Sequence, residues 1–168
     1  MNTILKKYAE LLVHYCVEIQ SGEKLYVRSS TLAEPLVKEV YRAAIKAGAH
    51  VEIDLEFEGK NRIFLTEGKE HQLQRVPPLQ KLAMETFDGY IFIRAPYNLR
   101  AGANNPKENS AIRSKAMAPI SKRYFERTAT KELRRNLCEY PTHAGAQNAG
   151  MSLEEYQQFI FGACNLFL

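Results

Sequence analysis

A chain of 168 residues with 45% apolar content can bury one sizeable core and favours a single domain. Its apolar runs fall far short of the roughly 18 residues that span a bilayer, and Lys6 and Lys7 interrupt the amino-terminal stretch where a secretory signal needs an apolar block. The expectation is a soluble, cytoplasmic protein with no membrane partner. Within a net charge of +4, residues 94–135 hold eleven Lys and Arg against three Glu, a net +8 that leaves the remainder at −4.

That asymmetry has two readings: a footprint for nucleic acid or an acidic ligand, or a solvated helix face that meets an acidic surface of the same protein. The second is preferred, because no nucleic-acid motif accompanies the charge. Cys16, Cys138 and Cys164 are odd in number, widely spaced and without a CxxC pair, which argues against a disulfide framework or a zinc knuckle. Free, mostly buried thiols are expected.

Taken in order, residues 3–19 read as an amphipathic helix with Ile4, Tyr8, Leu11, Leu12, Tyr15 and Ile19 inward. Ser21-Gly22 ends it. His14, near the apolar face, reads as packed or solvated rather than as a ligand. Lys24 to Ser29 follows as a strand. Thr31 and Glu34 have the spacing of a capping box, with Pro35 in the first turn. Leu36, Val37, Val40, Tyr41, Ala44 and Ile45 then carry a helix to Gly48.

From Val51 to Phe57 apolar and acidic residues alternate strictly, so one face stays wet and the strand belongs at a sheet edge. Glu52, Asp54 and Glu56 on that face are read as a solvated row that blocks edge pairing rather than as a metal site. Residues 59–76 show no secure period and are read as one short helix and a loop. Pro77-Pro78 opens a helix through Leu79, Leu82, Ala83 and Met84.

Tyr90 to Ile93 is an unbroken apolar run, the pattern of a central strand buried on both faces of a parallel sheet. Pro96 cannot donate a ladder hydrogen bond, so the strand stops near Ala95. Arg94, Tyr97 and Arg100 are thereby left around its carboxyl end, where open α/β sheets hold ligands. A turn-rich loop at 101–106 leads to a helix over Glu108–Arg127, with Ile112, Ala116, Met117, Ile120 and Tyr124 inward, Arg127 outward and Pro119 as a kink or break. Leu133 to Tyr140 is a weak last strand. Ser152 and Glu155 form a second capping box before a helix that buries Tyr156, Phe159, Ile160 and Ala163. The chain closes on Asn165-Leu166-Phe167-Leu168, apolar enough to require cover, as at a cut between domains.

These elements specify an α/β fold: a mostly parallel open sheet of about four strands flanked by helices, Rossmann-like in its three layers. It has neither the GxGxxG fingerprint nor a GxxxxGK[ST] loop. GxSxG and HExxH are also missing, and His14, His50, His71 and His143 are scattered without ligand spacing. Read from its residues alone, the chain is an α/β domain without a catalytic constellation.

Three long stretches, STLAEPLVKEVYRAAIKAGAHVEI at 30–53, VPPLQKLAMETFDGYIFIRAPYNLRA at 76–101 and YPTHAGAQNAGMSLEEYQQFIFGAC at 140–164, resemble the amino-terminal half of the thermophilic metallo-aminopeptidases, the aminopeptidase T and aminopeptidase S family. The resemblance implies a cytosolic exopeptidase that removes amino-terminal residues from peptides with a pair of divalent metals, zinc or cobalt, and assembles as a homodimer. It also implies that residues 1–168 are one α/β domain, the amino-terminal half of a longer two-domain enzyme. In that family the metal ligands and an active-site tyrosine come from the carboxyl-terminal half, so no catalytic or metal-binding residue is carried over to this chain and no metal is expected on it. Arg94, Tyr97 and Arg100 are the candidates to face the cleft toward that other half. The alternative is a stand-alone binding module that takes an anionic ligand or nucleic acid through the basic 94–135 segment. Nucleic acid is the less expected partner.

Overall fold

The computed structural model describes residues 2–167, residue 2 by its backbone alone. In chain order the elements are α1 (Asn2–Glu10), a π-helical turn (Leu11–Cys16), β1 (Lys24–Ser30), a 3-10 turn (Thr31–Ala33), α2 (Glu34–Lys46), β2 (His50–Glu56), α3 (Lys60–Glu67) and α4 (Glu70–Leu73). They continue with α5 (Pro78–Thr86), β3 (Gly89–Arg94), α6 (Lys107–Ala129), β4 (Arg134–Glu139), α7 (His143–Asn148) and α8 (Leu153–Ala163). The four strands form one parallel sheet in the order β2-β1-β3-β4. The chain therefore winds outward in both directions from the boundary between β1 and β3.

The period of two along each strand sorts side chains onto two faces. Leu25 and Val27 of β1 and Ile91 and Ile93 of β3 are fully buried in the main core, with residues of α1, α2 and α8 above them. Each such side chain removed from water contributes roughly 1.5–3 kcal/mol. On the opposite face Tyr26 and Tyr90 stack 5.7 Å apart and meet Ala83 and Met84 of α5, Phe87, and Ile120 and Tyr124 of α6. This second core covers only the amino-terminal half of the face. Phe92 is 39% exposed and Leu137 58% exposed, so the expected burial on both faces is met on the face of Ile91 and Ile93, while on the other Tyr90 is half-buried and Phe92 is exposed.

The amino-terminal helix departs from its expected phase for a local reason. The π-helical turn adds a residue to the helical ring, which brings Val13 and Val17 inward and leaves Tyr15 75% exposed. The helical run ends at Cys16, before Ser21-Gly22. Gly22 and Gly48 both take left-handed φ, +84° and +82°, and the Gly22 amide donates to the Gly48 carbonyl, tying the entry of β1 to that of β2.

The Thr31–Glu34 capping box does not form. Ser30 is extended and accepts from the Leu32 amide, a 3-10 turn intervenes, and α2 starts from Ala33 without a side-chain cap. The second box does form, with Ser152 and Glu155 exchanging hydrogen bonds of 2.8 and 3.2 Å. Residues 59–76 make two helices rather than one. In α6, Pro119 lies on an exposed stretch and the helix continues through it.

Arg127, expected outward, is 6% exposed and donates to the Met84 carbonyl at 3.0 Å and to both the carbonyl and the carboxylate of Glu132. Several expected inward side chains, Tyr41, Ile45, Leu79, Leu82 and Phe159, are exposed. Of the terminal apolar residues, Leu166 is buried in the main core, Phe167 is half exposed and Leu168 lies outside the described residues. Among the described residues no helix is long and apolar enough to cross a membrane.

Candidate functional site

The boundary between β1 and β3 is the topological switch point of the sheet, and a crevice of about 460 Å³ opens there beyond the carboxyl ends of the two strands. The segment from Glu56 to Arg62, which leaves β2 and enters α3, forms one side. Residues 94–98 and the turns at 101–105 form the other. The walls are held by side-chain bonds to backbone. Ser29 donates to the Ile93 carbonyl at 2.8 Å and Ser30 to the Ala95 carbonyl at 2.6 Å, locking β1 to the exit of β3. Thr31 and Tyr97 share a hydrogen bond between their hydroxyls.

At the floor sits an ion network. The Arg28 guanidinium reaches Asp54 at 3.2 Å and Glu56 at 2.8 Å, Lys60 reaches Asp54 at 3.5 Å, and the Tyr26 hydroxyl donates to Asp54 at 3.1 Å. Burial works against the Arg28 charge, but Tyr90, Tyr26, Glu56 and Asp54 outweigh it and hold its pKa above the ordinary value. Burial and Asp54 together push the Tyr26 phenol up. The acidic row on β2 is thus only partly solvated: Glu52 is exposed, while Asp54 and Glu56 are neutralised by cations from β1 and α3.

Of the three residues singled out from sequence, Arg94 and Tyr97 line the crevice. Arg100 is exposed on the loop outside the lining, its amide donating to the Asn98 side chain at 2.8 Å. Arg94 lies 3.8 Å from Glu139, a carboxylate whose pKa is raised by burial against the opposing pull of Arg94 and a 3.5 Å contact from the Tyr156 hydroxyl. Arg28 and Arg62 also line the crevice and were not singled out. For Arg28 the signal was its place at the end of the first strand, next to the switch point; Arg62 falls in the aperiodic 59–76 stretch, where nothing marked it.

The basic segment is largely spent inside the fold. Arg113 donates to the carbonyls of Leu73 and Arg75, Arg123 approaches Glu126 and Glu132, Arg134 binds Glu23, and Arg135 lies over the Tyr124 ring. The three cysteines, far apart in sequence, all border the main core, and Cys138 and Cys164 both interact with the Tyr8 hydroxyl. Burial pushes the Cys138 thiol up to about 12 and also raises Cys16. His14 pairs with Glu10, four residues before it, at 2.9 Å. Among the described residues no three His, Cys, Asp or Glu side chains converge so as to hold a metal ion.

Comparison with known proteins brings this geometry together with a family. Aminopeptidase 2 of Geobacillus stearothermophilus is 34% identical over 97 residues, covering 55% of this chain and 24% of its own. The solved structure of wild-type AmpT from Thermus thermophilus superposes with a TM-score of 0.74 at 19% identity, over 95% of this chain and 42% of its own, and so shares the fold. The chain therefore spans less than half the length of either relative. The family model described as thermophilic metalloprotease (M29) matches residues 1–167, and the chain belongs to that family.

Proposed function

We propose that residues 1–168 are the amino-terminal, non-catalytic domain of a metal-dependent aminopeptidase that removes amino-terminal residues from peptides. The observation that carries this reading is the family match over residues 1–167 in a chain that spans 24% of one aminopeptidase and 42% of another protein of the same fold. Metallo-hydrolysis with two ions needs carboxylates and histidines fixed around metals roughly 3.5–4 Å apart, which activate water and polarise the scissile carbonyl. The residues here do not fit that group. Glu56 on the crevice lining and Asp54 on the same strand are already held by Arg28 and Lys60. The ligands for zinc or cobalt belong, in this reading, to a further segment of the parent.

What this domain contributes is a wall. The crevice at the switch point faces the catalytic segment, with Arg94 and Tyr97 on its surface and Arg100 on the adjoining loop. The parent is cytoplasmic and homodimeric in the same reading. The test begins with the gene: the reading frame is expected to run past the codon for Leu168 into a segment rich in Glu, His and Asp. The longer product should release amino-terminal residues only when loaded with metal. Replacing Arg94, Tyr97 and Arg100 singly in it should change KM or the preferred peptide length. A stop codon after Leu168, or unchanged kinetics in all three variants, contradicts the proposal.

A further inference from the structure

We infer that the crevice is a receptor for the free carboxylate at the carboxyl end of a short peptide. The substrate class rests on the aminopeptidase reading; the recognition chemistry rests on the crevice itself. Its volume of about 460 Å³ falls within the range of small-ligand pockets, about 300–1,000 Å³.

Four cations, Arg28, Lys60, Arg62 and Arg94, line it against two carboxylates, Glu56 and Glu58. Arg28 and Lys60 are committed to Asp54 and Glu56. The positive charge open to a ligand therefore belongs to Arg62 and, in part, to Arg94, which shares its charge with Glu139. Among the described residues no carboxylate pairs with Arg62. Arg94 lies 3.8 Å from Glu139, too far for a hydrogen bond, and its side chain is 52% exposed, so its planar fork keeps donors to offer. A guanidinium fork matches a carboxylate with two parallel hydrogen bonds. Phe57 and Phe92, both exposed on the lining, supply apolar surface for the side chain next to that carboxylate.

The same lining argues against polyanions. With Arg28 and Lys60 taken up by Asp54 and Glu56, Glu58 opposes a second negative charge, so a nucleic acid or a nucleotide polyphosphate is a poorer match than one carboxylate. A peptide whose carboxyl end is seated here has only a short stretch left to span the cleft. The parent would thereby favour short peptides with a free carboxyl end.

The experiment is calorimetric titration of the 168-residue chain with three N-acetylated tripeptides that cannot be processed from the amino end: a free acid, its carboxyl-terminal amide, and an amide carrying an Asp side chain. The acid is expected to bind at least tenfold more tightly than either amide. The difference should vanish in Arg94→Gln and Arg62→Gln, each checked for an unchanged unfolding midpoint, and persist in Lys115→Gln on the exposed surface of α6. Equal binding of acid and plain amide overturns the inference. So does an Asp-bearing amide that binds like the acid, or inorganic phosphate or duplex DNA that binds more tightly than the acid. No peptide is cleaved in this assay, so failure here leaves the aminopeptidase reading standing, and loss of peptidase activity in the parent leaves the acid-to-amide ratio untouched.

Discussion

Two residues carry more than their sequence positions promised. Glu139 sits between Arg94 and Tyr156 with its pKa raised by burial. A carboxyl whose folded pKa lies above its ordinary value of 4.5 favours the folded state when protonated, so stability falls as pH rises from 4.5 through the raised value. Glu139→Gln removes that ionisation. In thermal melts taken upward from pH 4.5, the gap between the variant and the native chain should grow in favour of the variant; a constant gap contradicts the assignment. Arg127 is buried with three acceptors around it. Arg127→Leu strands the Met84 and Glu132 carbonyls and should cost about 2–4 kcal/mol in urea unfolding. A loss below about 0.5 kcal/mol, the range of an ordinary surface change, would place Arg127 in solvent as its helical phase suggested.

At the scale of elements, legibility followed how many local signals agreed. The strands were readable because hydrophobic run, flanking glycine and proline all pointed the same way, as at Asp88-Gly89 and Pro96 around β3. Helix faces were less so. Periodicity assumes a regular ring, and the π-helical turn at Leu11–Cys16 breaks it, which is why Tyr15, expected inward, is exposed while Val13 is buried. Leu79 and Phe159 obey the period but stay exposed, a fact of tertiary packing that no local window contains. The first cap shows the same limit. Thr31 and Glu34 have the right spacing, but Ser30 at the end of β1 reaches the first free amide sooner and also fastens the Ala95 carbonyl. Ser30→Ala should therefore cost about 1–2 kcal/mol, whereas Glu34→Gln, which loses an exposed 2.9 Å pair with Lys38, should leave the denaturation midpoint nearly unchanged. Equal losses in chemical denaturation would restore the Thr31–Glu34 box.

For the whole molecule, the sheet order determines where chemistry collects. Winding outward from β1 and β3 leaves one gap at their carboxyl ends, and Arg94 and Tyr97 were placed at that end from sequence by the stop at Pro96. Arg28 and Arg62 joined them only through the sheet order and the path of residues 56–62, which a linear reading does not contain. The gathering of Cys16, Cys138 and Cys164, the last two beside Tyr8, is likewise invisible to spacing, and with Cys138 raised to about 12 its thiol should react with disulfide reagents at pH 8 far more slowly than a free thiol. Rapid labelling of Cys138 in the folded chain would contradict its place against the main core. The central claim, that this domain shapes a peptide-cutting site whose metals are held elsewhere, is tested most directly by equilibrium dialysis of the purified 168-residue chain against zinc and cobalt. The account predicts no stoichiometric uptake of either ion and no release of amino acids from peptides. Two tightly bound ions per chain with matching peptidase activity would contradict it.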